Sequence, residues 1–184
     1  MHKIDYDDYF LTLAYVIAQR SIDPSSKCGA VLVAKDRRIL STGYNGPIRG
    51  SDDERIPLTR PEKYPHMLHG EENCILAYNG SAQDLEGSTM YVTGQPCHKC
   101  LRMIIQKGIR NIVYTDGNKT VLVDTAEKAI SELMLSYTTG VNVRMVDNSH
   151  KIVNLLERTQ TYIKLKNRDK FIYSPIVDDL IEKH

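Results

Sequence analysis

"STMYVTGQPCHKCLRMIIQKGIRNIVYT", residues 88 to 115, reads as a strand, a helix and a second strand. The outer arms, "STMYVT" (88–93) and "RNIVYT" (110–115), carry the β-branched and aromatic residues that suit a pleated surface, whereas "CHKCLRMIIQKG" (97–108) has a helical pattern and ends in glycine. Downstream, Asp124 and Glu127 resemble a capping box that opens a helix running to about Thr139, and "VNVRMV" (141–146) follows as a further strand. Two successive crossovers of this kind predict a parallel portion of a sheet and an α/β fold class.

Upstream, "HGEENCILAYNG" (69–80) is helical in pattern, with Asn79-Gly80 as its stop. "CGAVLVA" (28–34) and "RILSTGY" (38–44) flank the polar turn Lys35-Asp36-Arg37 and predict a β-hairpin. Residues 4 to 20 form an amphipathic helix that Asp23-Pro24 ends. Between the hairpin and His69, residues 45 to 65 hold four prolines and many charges, so they read as a long ligand-binding loop rather than a buried element. The tail from 149 has apolar residues at helical spacing. It is expected to be a helical C-terminal extension (149–184) to a catalytic domain of residues 1–148, packed on that domain or at a subunit interface.

With 184 residues, the chain is long enough for one domain with a core. Its 24 Lys plus Arg nearly cancel 23 Asp plus Glu, which removes the long basic footprint of a duplex-binding protein and favours a small-molecule ligand. No apolar run is long enough to span a bilayer and the N-terminus is too polar for a secretion signal, so the expected compartment is the cytoplasm, or a host cytoplasm for a viral protein. There the four cysteines are free thiols or metal ligands.

Cys97 and Cys100 share one face at the start of a helix, behind Pro96, where the helix dipole favours thiolates. His69, which opens the preceding helix, is the leading third ligand, and Glu71 in the same first turn leans toward the same opening. Three readings stand side by side: a catalytic zinc with three protein ligands and a water, a closed structural zinc, and a dithiol redox pair. The carboxylate favours the first, because neither alternative needs an acid beside the pair. Cys74 and Cys28 read as core residues, His66 as solvated, and His98 as pointing away from the face the two cysteines share.

His69-Gly70-Glu71 together with Pro96-Cys97-His98-Lys99-Cys100 resembles the H-x-E and P-C-x-x-C signature of the zinc-dependent cytidine deaminase superfamily. The segments "STGYNGPIRGSDD", "KYPHMLHGEEN" and "LEGSTMYVTGQPCHKC" narrow the resemblance to the deoxycytidylate (dCMP) deaminases. It implies a three-layer α/β/α cytidine-deaminase-like fold with a mixed five-stranded sheet, and hydrolytic deamination of dCMP to dUMP with release of ammonia. It further implies one zinc per chain on His69, Cys97 and Cys100, Glu71 as catalytic acid and base, and Asn45 on the deoxyribose 3′-hydroxyl. Backbone groups near Gly70 and Gln95 are expected to read the pyrimidine edge, and Lys27, ahead of the first hairpin strand, is a candidate phosphate partner.

A homo-hexamer is implied too, with dCTP activating and dTTP inhibiting at a second site near Gly50, Ser51 and Asp52 that binds magnesium with the triphosphate. Gly70 departs from the alanine more frequent in the family. The rival readings are a deaminase of dCTP, of cytidine, of a riboflavin precursor or of a base in single-stranded nucleic acid, and a non-catalytic zinc module.

Overall fold

The computed structural model describes residues 3–115, 125–147 and 149–166. Asp5 caps helix α1 (Tyr6–Ala18), its carboxylate accepting from the Asp7 N–H at 2.9 Å. Strands β1 (Gly29–Val33) and β2 (Ile39–Tyr44) form the expected antiparallel hairpin, whose turn holds Arg37 at φ 74°. The two-residue strands β3 (Gly46–Pro47) and β4 (Met67–Leu68) pair with each other and close the base of the long loop. Helix α2 (Gly70–Ala77), strand β5 (Thr89–Val92), helix α3 (His98–Gln106) and strand β6 (Asn111–Tyr114) follow. Helix α4 (Thr125–Ser136), strand β7 (Asn142–Met145) and helix α5 (Ser149–Lys166) complete the order. The expected capping residue Asp124 and the tail beyond 166 lie outside the described residues.

The five-stranded sheet has the order β2-β1-β5-β6-β7, antiparallel from β2 to β5 and parallel from β5 to β7. The parallel portion is the one the two crossovers imply, and the whole is the mixed five-stranded sheet the family resemblance implies. All five residues of β1 are buried, because both faces of the sheet are covered. On one face Ala30, Leu32, Met90, Val92 and Ile112 meet Cys74 of α2, Leu101 and Ile104 of α3, and the partly buried Met134 of α4. On the other, Val31, Val33, Tyr91 and Val113 meet Phe10, Leu11 and Ala14 of α1 and Ile152 in the first turn of α5. The result is three layers, with the alternation of side chains along each strand feeding two separate cores.

Two glycines set how closely α2 sits. A Cβ on Gly43 would fall 2.3 Å from both the Gly70 carbonyl oxygen and the Cys74 nitrogen, so α2 crosses β2 backbone against backbone. At Gly70 a Cβ would stand 3.1 Å from the Cys28 carbonyl oxygen, which leaves little room for the alanine common in the family. Asn73 fixes the same crossing by donating its side-chain N–H to the Tyr44 carbonyl at 2.8 Å.

The chain divides between residues 152 and 153, where the sequence placed a boundary at 148. Over its described residues the second unit is the continuation of α5 to Lys166.

Candidate active site

Two helix starts build the site. His69 is the residue before α2, held there by Glu72, whose carboxylate accepts the His69 backbone N–H at 2.8 Å across one turn. Cys97 caps α3, its sulfur accepting the Cys100 N–H at 3.5 Å. Leu101 and Ile104 bury the inner face of α3 and thereby aim its first turn at the carboxyl edge of β5, the central strand.

His69 Nδ1 lies 3.6 Å from Cys97 Sγ and 3.3 Å from Cys100 Sγ, and the three donor atoms all fall within 4.8 Å of one another. They grade outward from buried Cys100 through half-buried Cys97 to exposed His69. A tetrahedral zinc, with Zn–S near 2.3 Å and Zn–N near 2.0 Å, sets nitrogen and sulfur ligands about 3.5 Å apart. The donor set and its spacing therefore fit zinc, and among the described residues this is the one group of three or more such side chains.

Electrostatics support the same reading. The Cys100 thiol beside Cys97, and the His69 imidazole next to it, pull Cys97 down to about 3, while the Cys97 sulfur and burial push Cys100 up. Contact with Cys97 raises His69 to about 9. A divalent cation binding at these donors would displace the protons they share. Glu71 is 5 % exposed, and burial lifts its carboxyl to about 7. A carboxyl balanced near neutrality, in electrostatic reach of His69 and both sulfurs, can both take and give a proton.

Cys74 is fully buried, and the Ser41 hydroxyl donates to its carbonyl at 2.8 Å, as a core residue should behave. His98 turns away from the cluster to meet Glu127 of α4 at 2.5 Å. Gln95 is half-buried on the connection from β5 to α3. Asn45 is buried at the end of β2, its Oδ1 accepting the Cys28 N–H at 2.7 Å. Lys27 reaches back to the carbonyls of Ser21 at 2.6 Å and Gln19 at 3.4 Å. Gly50, with φ 87°, Ser51 and Asp52 sit in an exposed turn where Asp52 accepts the Glu54 N–H at 3.1 Å.

The sequence reading missed Lys63. Residues 45 to 65 read as a ligand-binding loop rather than a buried element, yet Lys63 and Asp23 form an ion pair at 2.6 Å with side chains 3 % and 4 % exposed. No local pattern signals this pair, because its members stand 40 residues apart.

A mixed five-stranded sheet that gathers an imidazole, two sulfurs and a buried acid at the edge of its central strand defines a zinc-binding hydrolytic class of site. Residues 4–116 match the model of the family described as the cytidine and deoxycytidylate deaminase zinc-binding region, and the chain belongs to that family. It is 32 % identical to the deoxycytidylate deaminase of Homo sapiens over 157 residues, 82 % of this chain and 85 % of that protein. To the deoxycytidylate deaminase of Pongo abelii it is 37 % identical over 117 residues, 60 % of this chain, and it spans 65 % of that relative's length. The crystal structure of the dCMP deaminase from the cyanophage S-TIM5 in complex with dCMP and dUMP superposes with a TM-score of 0.63 at 25 % identity, covering 79 % of this chain and 100 % of that one.

Proposed function

We propose that this chain hydrolyses dCMP to dUMP and ammonia, with His69, Cys97 and Cys100 as zinc ligands and Glu71 as the proton carrier. The observation that carries the reading is a carboxyl, Glu71, buried at 5 % exposure one turn from a group of one imidazole and two sulfurs whose donor atoms all lie within 4.8 Å of one another. Zinc, when bound, supplies the Lewis acidity that makes water a nucleophile at neutral pH. Glu71 accepts a proton from the attacking water and passes it to N3 of the cytosine ring as the new C4–O bond forms. It then takes the remaining proton from the C4 hydroxyl and delivers it to the amino nitrogen, so that C4=O forms as the C4–N bond breaks and ammonia departs. A structural zinc would gain nothing from this buried acid, which costs stability in its charged form.

Asn45 at the end of β2 takes the deoxyribose 3′-hydroxyl, and backbone groups at Gly70 and Gln95 face the base. Lys27, whose ammonium donates to the Ser21 and Gln19 carbonyls, contacts the phosphate with its remaining donor capacity, so Lys27→Met is expected to weaken binding of dCMP and spare deoxycytidine. The hexamer, dCTP and dTTP as effectors and magnesium at Gly50, Ser51 and Asp52 rest on the family resemblance. A cytoplasmic setting, which keeps thiols reduced, suits the ligand set, and among the described residues no helix is long and apolar enough to cross a membrane.

The test is ammonia release from dCMP, dCTP, deoxycytidine and a short single-stranded oligonucleotide, each with and without dCTP and dTTP as effectors. Preference for dCMP supports the reading. Preference for any other substrate replaces it, and no release from any substrate by zinc-loaded protein overturns the enzyme reading.

A further inference from the structure

Around Lys63 the loop is exposed: Arg60, Pro61, Glu62, Tyr64 and Pro65 all face solvent. Lys63 alone turns inward, and its ammonium donates to Asp23 Oδ1 at 2.8 Å and Oδ2 at 2.6 Å. A charge buried from a loop that could easily keep it in water calls for a partner and a use. The partner is Asp23. The use lies one bond further on, because Asp23 Oδ2 also accepts from Asn45 Nδ2 at 3.3 Å.

Asn45 has every amide hydrogen committed. Its second N–H goes to the Ser26 carbonyl at 2.9 Å, while its Oδ1 accepts the Cys28 backbone N–H at 2.7 Å. A backbone N–H can only donate, and a carbonyl and a carboxylate can only accept, so the opposite orientation of this amide would fail at all three contacts. What Asn45 retains is one lone pair on Oδ1. It can receive a hydrogen bond from a ligand and cannot give one.

We infer that Lys63, acting through Asp23, is a positioning residue that locks Asn45 as an acceptor and so makes the site selective for a sugar hydroxyl that donates to it. The inference rests on the assignment of Asn45 to the sugar made above. Its logic is electrostatic. With Lys63 in place Asp23 is an ionised acceptor, held below the usual carboxylate range because the Lys63 and Ser25 hydrogen bonds outweigh burial. Without Lys63, Asp23 is a buried, unpaired carboxyl that takes up a proton or draws in water. A protonated carboxyl can present a donor to Asn45 Nδ2, and the amide then loses one of the three contacts that hold its orientation, leaving the Ser26 carbonyl and the Cys28 N–H to hold it less firmly.

The experiment compares dCMP with 2′,3′-dideoxycytidine 5′-monophosphate on zinc-loaded wild type and Lys63→Met, measuring kcat and KM for each. Wild type is expected to prefer dCMP by about tenfold in kcat/KM, the worth of one hydrogen bond to a buried polar group. In Lys63→Met that preference falls to about twofold through a higher KM for dCMP, with kcat and the dideoxy KM nearly unchanged. An intact preference with both substrates slowed equally overturns the inference and leaves Lys63 purely structural. No preference in wild type overturns the sugar assignment of Asn45, and the inference with it. Should Lys63→Met not fold, Asp23→Leu/Lys63→Met removes both charges together, and the same ratio decides.

Discussion

The cluster at the two helix starts and the pair beneath the loop both gather ionisable groups, the first in a site that grades from buried Cys100 to exposed His69 and the second wholly inside, and they settle charge in opposite ways. His69 and the Cys97–Cys100 pair are each presented at a helix start by a short-range device, a carboxylate closing one helix turn and a sulfur capping another, and meet across 28 and 31 residues. Their donor atoms converge on one point that a divalent cation would occupy. Lys63 and Asp23 come from segments 40 residues apart and neutralise each other inside the protein. One arrangement stays open for chemistry, while the other is closed and can only hold its neighbours still. A buried charge therefore marks a reactive centre only where the protein has not already answered it.

The largest effect that separates the two regions comes from removing a metal ligand. Cys100→Ala is expected to lose bound zinc and all measurable turnover; elemental analysis showing wild-type zinc would place the metal elsewhere. Next comes Lys63→Met, which strands Asp23 and should lower unfolding stability by about 3–5 kcal/mol in urea titration. It should leave the zinc content unchanged, and loss of zinc would mean that the two regions are not independent.

Smaller is the acid response of the closed pair. Asp23 has its folded pKa below the unfolded value of about 3.9, so its contribution to stability is complete above that pH and fades as pH falls through the lower folded value. Asp23→Leu/Lys63→Met lacks this contribution, and its urea midpoint is expected to fall less than that of wild type below about pH 4. The smallest effect belongs to Arg38, which reaches Asp36 at 2.7 Å and Asp84 at 3.2 Å while 62 % exposed. Water and salt screen such contacts, so Arg38→Ala should leave both thermal stability and turnover within measurement error.

The layered sheet and the metal cluster were legible in the sequence for the same reason. Helix starts, glycine stops and the alternation along 88–115 are local rules, and positions i and i+3 at a helix start must share a face. The gathering of His69, Cys97 and Cys100 needed only those rules plus two helices opening on one edge. The long loop obeyed no such rule. Its prolines and charges announced irregular backbone, but the short β3–β4 closure and the inward turn of Lys63 depend on which distant segment lies beneath. Asn45 shows both sides: its place in "GYNG" was visible, whereas the commitment of its amide hydrogens emerged only with Ser26 and Asp23 packed around it.

The most direct test of the central claim is the rate of dUMP formation from dCMP by Glu71→Gln carrying one zinc per chain. A side chain of the same shape that cannot ferry protons should leave the metal bound and slow turnover by about a thousandfold, within the range that general acid–base catalysis supplies. Fully zinc-loaded Glu71→Gln turning over dCMP at the wild-type rate would contradict the account.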